Sequence, residues 1–300
     1  MKKKKKKESS FIEKNKLILL LLLMFFIFLG IFIPKINSPF NKSLIADRKY
    51  LDKLPRHAAE ELRKSTPSAT FRVPILIYHY VEYVRDSGDT IRKSLDIIPF
   101  IFENQVKTLK DAGYSFITPS DIADILDGKM ILPEKPVILS FDDGHPDFYT
   151  DVLPILKKYN ARAVAYIIPG FLNKLDFMYT WQIENIATMS SMVEIGAHTV
   201  HHSYLKGLPK EVAKYEIDES KKMLEDLIHA PVVSFAYPYG AFDAQAEELV
   251  SEAGFKTAVT TVPGIEVGAQ NRFFIFRIRP GARMGDELLK YLDQSSFRAY

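Results

Sequence analysis

Three hundred residues with 47% hydrophobic content can bury a sizeable core, and one large α/β domain is the simplest reading. The absence of cysteine excludes disulfides and thiolate ligands, so any metal must be held by histidine and carboxylate. The net charge of +3 is carried by one end: residues 1–40 hold nine Lys and two Glu, a net +7, which leaves −4 for residues 41–300 and no bias toward nucleic acid.

Residues 1–16 form a basic tail that opens with the run Lys2 to Lys7. Leu17 to Ile33 is then free of charge for seventeen residues and is ended by Pro34 and Lys35. That length is at the short end of a membrane span, and a core helix is rarely apolar all round, so one transmembrane helix is expected over 17–33. Lysines ahead of it place the N-terminus in the cytoplasm and the rest outside. No small-residue cleavage site follows, so the segment reads as an uncleaved anchor; secretion after signal cleavage is the alternative. Residues 34–70 read as linker and stalk, and 71–300 as the folded domain.

Within that domain, Val73 to Tyr78 reads as a strand followed by His79. Phe102, Val106 and Leu109 mark one face of a helix that Gly113 stops. Phe116-Ile117 predicts a strand, and Pro119 to Leu126 a helix with Thr118 at its cap. Further strands are expected at 137–140, 163–168, 193–196, 232–236, 257–261 and 274–278. Helices are expected near 148–158, from Trp181 to Ala187, over 210–229, over 242–253 and over 286–292. About eight alternations of strand and helix favour parallel strands with crossover helices, in an open sheet or a barrel.

Two stretches carry chemistry. Ser140-Phe-Asp-Asp-Gly144 follows the apolar run Val137 to Leu139, so two adjacent carboxylates fall where a buried strand ends. Like charges side by side need a cation to compensate them, although a bare Asp-Asp-Gly also fits a turn capping a helix. The second stretch is His198-Thr-Val-His-His202. One carboxylate and two imidazoles make three protein ligands and leave a metal open to water and substrate. His198 pairs with His202 or with its neighbour His201 on spacing alone. His79, Asp142, Asp143, His198 and Tyr239 all follow strands, and in a β/α barrel such positions meet at one face.

At these residues the chain resembles the NodB-type polysaccharide deacetylases, carbohydrate esterase family 4. SFDDG (140–144) is similar to the family's first motif, with Ser140 where Thr is usual. HTVHH (198–202) matches the second. FAYPYG (235–240) is similar to the third, with Ala236 in place of Arg. That departure, together with Ile77-Tyr-His79, resembles the branch that deacetylates poly-β-1,6-N-acetylglucosamine. The resemblance implies a distorted (β/α)7 barrel. It implies that Asp143, His198 and His202 bind a divalent metal, with His202 favoured over His201 by motif register. It further implies Asp142 as general base, His79 as general acid and the backbone N–H of Tyr239 as oxyanion donor.

Two carboxylates with separate tasks make chemical sense, since one can hold a cation while the other takes a proton from water. With no Arg at 236, Arg277 and Arg279 are candidates to orient Asp142. Trp181 and Tyr237 are candidate substrate contacts, because aromatic faces stack on pyranose rings; Asp147 has no assigned role. Two His and one carboxylate suit zinc, with cobalt or nickel as alternatives. The expected protein is a membrane-anchored, extracytoplasmic deacetylase of a polysaccharide containing N-acetylglucosamine, with synthase or export machinery as a further partner. The rivals are a peptidoglycan or chitin-oligomer deacetylase and a catalytically silent glycan-binding protein.

Overall fold

A computed structural model of the chain describes residues 70–294, apart from Arg85 and Ser87. The basic tail, the expected span at 17–33, nearly all of the linker and residues 295–300 lie outside the described residues. Among the described residues no helix is long and apolar enough to cross a membrane.

The strands in chain order are β1 (Phe71–Arg72), β2 (Ile75–Tyr78), β3 (Tyr80–Val81), β4 (Asp96–Ile97), β5 (Ser115–Phe116) and β6 (Pro136–Phe141). They continue as β7 (Ala163–Ile167), β8 (Val193–Ala197), β9 (Ser234–Ala236), β10 (Thr257–Pro263), β11 (Glu266–Val267) and β12 (Ile275–Arg277). Strands β2, β6, β7, β8, β9, β10 and β12 lie side by side in that order, every pair parallel. The two ends of the row meet: Leu76 bridges Ile278, and Ile77 and Ile278 exchange backbone bonds of 2.9–3.0 Å with that edge. The result is a nearly closed parallel barrel, consistent with a distorted (β/α)7 arrangement. Strand β5 joins β6 on the other side.

Every residue of β2 and β6 is buried, which is why their sequences are apolar without alternation. Helices cover the outside. Pro99–Asp111 turns Phe102, Val106 and Leu109 inward, the face its spacing predicts. Pro119–Leu126 starts as expected at Thr118, whose backbone N–H donates to the Asp121 carboxylate at 2.8 Å. The helix expected at 148–158 begins as a π-helical turn, Phe148–Val152, before the α-helical Leu153–Tyr159. The helix Thr90–Leu95, the β1–β11 ribbon and the β3–β4 pair were not expected. Two-residue pairings have no period to read.

The barrel interior holds polar as well as apolar groups. Tyr166 of β7 is fully buried and lies under the guanidinium of Arg277, 5.8 Å from its ring centre. Gly196 makes this possible, since a Cβ there would sit 2.4 Å from the Tyr166 ring.

Candidate metal-binding and catalytic site

The carboxyl ends of β2, β6, β8 and β9 bring His79, the Asp142-Asp143 pair, the histidine stretch and Tyr239 to one end of the barrel, as expected of parallel strands. Asp142 continues the β6 ladder through its N–H to the Tyr78 carbonyl, at 3.0 Å. Asp143 then adopts φ +75°, a left-handed conformation unfavourable to a residue with a Cβ. This reversal sends two consecutive side chains in different directions. Gly144 follows at φ +81°, and a Cβ there would press on Ile167 at 3.1 Å.

Asp142 turns to Arg277. Nη1 and Nη2 donate to its two oxygens at 2.7 Å each, while Nε donates to the Thr260 carbonyl at 2.9 Å. Both side chains are sealed from solvent. Burial alone would raise the Asp142 carboxyl, but the Arg277 guanidinium overcomes it and holds the group below its ordinary value. Arg277 thus supplies the fork, from inside the barrel. Arg279 is exposed beyond the end of β12.

Asp143 turns to the histidines. Its Oδ1 lies 3.4 Å from His198 Nε2 and 3.3 Å from His202 Nε2, and ligand atoms of all three residues fall within 4.8 Å of one another. His198 Nδ1 donates to the Ala236 carbonyl at 2.7 Å. A carbonyl only accepts, so in the neutral ring Nε2 carries the lone pair and faces Asp143. Asp143 Oδ1 is buried without a hydrogen-bond partner. Burial opposes its ionised form, yet the neighbouring His145 and His198 hold it well below the usual carboxylate range. An unpartnered anionic oxygen facing imidazole lone pairs is a donor set that a divalent cation would satisfy, at bond lengths near 2 Å.

His201 is drawn away from this cluster. Its Nδ1 donates to Glu216 Oε1 at 2.8 Å, and the N–H groups of Val200 and His201 both donate to Oε2 at 2.9 Å. Glu216, from the helix Lys210–Ile228, therefore pins the loop and leaves His202 for Asp143. Thr199, His202 and Tyr239 all have positive φ, at +59°, +58° and +60°, so backbone strain gathers around the cluster.

His79 is half-buried at the end of β2. Burial lowers its pKa to about 4, against the opposing pull of Asp142 and Asp143. The Tyr239 ring is 63% exposed and packs over His202 at 4.5 Å, with the half-exposed Tyr204 beside it. Trp181 is exposed and meets Tyr149 edge-on at 5.3 Å. Tyr237 corrects an expectation: it is fully buried, with its ring stacked on Phe242 at 4.9 Å, so it packs the core and offers no face to a sugar. Sequence reading also missed Glu216, which looks like any acid on an amphipathic helix, and His145, which belongs to no motif.

Two groups here give opposite pH signatures in the metal-free protein. Burial raises Asp147 to about 6, although the Val81 N–H donates to it at 2.5 Å. Its contribution to stability is full below the ordinary 3.8 and lost as pH rises through 6. His79, depressed from 6.5 to about 4, does the reverse: its contribution is full above 6.5 and lost as pH falls through 4. Each is worth about 3 kcal/mol, so the two nearly cancel over that window. Urea unfolding at pH 7 and pH 4.5 should separate them. Asp147→Asn should stabilise only at the higher pH and His79→Phe only at the lower, and a pH-independent effect of either would contradict the assignment.

Comparison with known proteins agrees with this geometry. A family model described as polysaccharide deacetylase matches residues 129–258. YxkH of Bacillus subtilis, assigned to the same family, is 29% identical over 208 residues, covering 69% of this chain and 71% of that protein. The poly-β-1,6-N-acetyl-D-glucosamine N-deacetylase of Staphylococcus aureus is 24% identical over 206 residues, covering 64% and 70%. Among solved structures, the Streptococcus pyogenes deacetylase PplD in complex with acetate superimposes with a TM-score of 0.68 at 29% identity, over 75% of this chain and all of that one.

Proposed function

The chain carries a polysaccharide deacetylase domain, of a family of hydrolases that act on amide bonds, and from that premise we propose a metal-dependent N-deacetylase of polymeric N-acetylglucosamine, with the β-1,6-linked polymer as substrate. The observation that carries the reading is the division of the carboxylate pair: Asp143 beside two imidazoles, and Asp142 clamped by Arg277. The β-1,6 linkage rests on the Staphylococcus aureus relative and on the Ala236 and His79 signature.

Asp143, His198 and His202 would hold the cation, zinc before cobalt or nickel. When bound, it supplies a water of lowered pKa and polarises the acetamide carbonyl. The rest falls to the chain. Asp142, kept ionised and unable to rotate by the Arg277 fork, accepts a proton as general base. The Tyr239 N–H, in the left-handed turn after β9, is assigned to the developing oxyanion. His79 is assigned as general acid; burial weakens its hold on a proton, so once protonated it passes that proton readily to the departing nitrogen. Exposed Trp181 and Tyr239 offer ring faces to sugar. The uncharged run at 17–33 supports anchoring in the cell membrane with this domain outside, within reach of a surface polymer and its synthase.

The test is acetate release from defined β-1,6 and β-1,4 glucosamine oligomers carrying N-acetyl groups, with and without chelator. Chelator-sensitive release, faster on β-1,6 oligomers, is expected. Faster release on β-1,4 oligomers would instead support a peptidoglycan or chitin-oligomer deacetylase, and no release from either a glycan-binding protein.

A further inference from the structure

His145 lies outside every motif, yet it is 4% exposed and belongs to the shell of Asp143. Its Nε2 is 3.5 Å from Asp143 Oδ2, the oxygen turned away from His198 and His202. Its Nδ1 bonds the Asp176 carbonyl at 2.8 Å, and because a carbonyl only accepts, Nδ1 is spent as a donor there. Nε2 is then the one ring nitrogen left to bond Asp143. The ring cannot swing away. It stacks on Tyr80 at 3.9 Å and meets Phe177 at 5.2 Å, and the Tyr80 ring is itself covered by the Arg92 guanidinium at 4.6 Å. Asp176 presents its carbonyl from a left-handed conformation, φ +67°, in the segment that also bonds Gly144 through Met178 N–H at 2.9 Å.

We propose that His145 is a positioning residue that fixes the rotation of the Asp143 carboxylate: it engages Oδ2, so that Oδ1 alone is presented to His198 and His202. Without it the carboxylate can turn about its last bond and offer either oxygen, or both. A ligand that must first be ordered binds its metal less tightly, and removing such an outer partner typically costs about 10–100-fold in affinity. His145 does not join the ligand atoms that cluster within 4.8 Å, which distinguishes this role from that of a fourth ligand. The inference rests on Asp143, His198 and His202 holding a cation.

The test is a titration of the full-length chain, stripped of metal, with Zn(II) and Co(II) against a chromophoric chelator, together with the Co(II) absorption spectrum. His145→Phe keeps a ring against Tyr80 and removes both nitrogens; about 10–100-fold weaker binding is expected. His145→Gln returns a donor toward Oδ2; binding within about threefold of the parent and an unchanged Co(II) spectrum are expected, since the ligands themselves are untouched. Affinity of His145→Phe within threefold of the parent would overturn the proposal. So would a His145→Gln variant as weak as His145→Phe, because the ring would then be a ligand. Thermal unfolding of the metal-free variants checks that they fold, and His145→Met, with the same readouts, replaces His145→Phe if that variant does not. A parent chain that binds neither ion would sink the metal reading itself, whereas a tight-binding parent with indifferent variants would sink only the role of His145.

Discussion

Asp142→Asn should lower acetate release by roughly 10²–10⁴-fold while leaving divalent-cation affinity within a few-fold of the parent. Asp143→Asn should lose the cation and, with it, turnover. The two residues are neighbours of identical chemistry, so only their surroundings can separate the outcomes. Asp142 spends both oxygens on Arg277 at 2.7 Å, whereas Asp143 Oδ1 has no hydrogen-bond partner and sits between two imidazole nitrogens. Asparagine at 142 keeps the shape but cannot take up a proton. It also leaves the Arg277 charge buried without a counter-charge, which costs about 3–5 kcal/mol. The assay must therefore run where the variant is shown to be folded, with cation content measured on the same sample. Near-normal release from Asp142→Asn, or retained cation in Asp143→Asn, would mean that the carboxylates are assigned the wrong way round.

That division shows where sequence legibility stops. The apolar run Val137–Leu139 announces β6 because a strand buried on both faces cannot alternate, and the structure extends it only to Pro136–Phe141. The histidine spacing likewise announces a cluster. What the residues did not disclose is direction. The divergence of Asp142 and Asp143 comes from one left-handed φ at Asp143, which no propensity would have placed there. The choice between His201 and His202 is made by Glu216, distant in sequence, through three hydrogen bonds to the loop. Arg277 and Arg279 have the same parity on a strand and would both face inward if β12 continued; the strand ends at Arg277, and that decides between them. Tyr237 and Tyr239 are also two apart, but the turn Pro238–Gly240 lies between burial and exposure. His145 has no periodicity or motif to mark it and becomes visible only through the tertiary contacts of its ring.

Arg277→Met should destabilise the domain by about 3–5 kcal/mol, because Asp142 would be left buried and ionised with no partner. It should also change the acid side of both stability and rate. Asp142 now has a folded-state pKa below 3.8, so its contribution to stability is present above 3.8 and lost as pH falls through the lowered value. Without Arg277, the burial that now loses to the guanidinium would win, and the carboxyl would rise. Stability would then fall with increasing pH where the parent gains it, and the acid limb of the rate profile would move upward. Arg277→Lys should recover little, since an ammonium cannot match two carboxylate oxygens and the Thr260 carbonyl from one plane. The double variant Asp142→Asn/Arg277→Met removes both charges together and should be less destabilised than the sum of the single changes. Urea unfolding of the four proteins closes that cycle. A coupling near zero, with the acid limb of Arg277→Met unmoved, would mean that the fork merely fills the barrel and that the ionisation of Asp142 is set elsewhere.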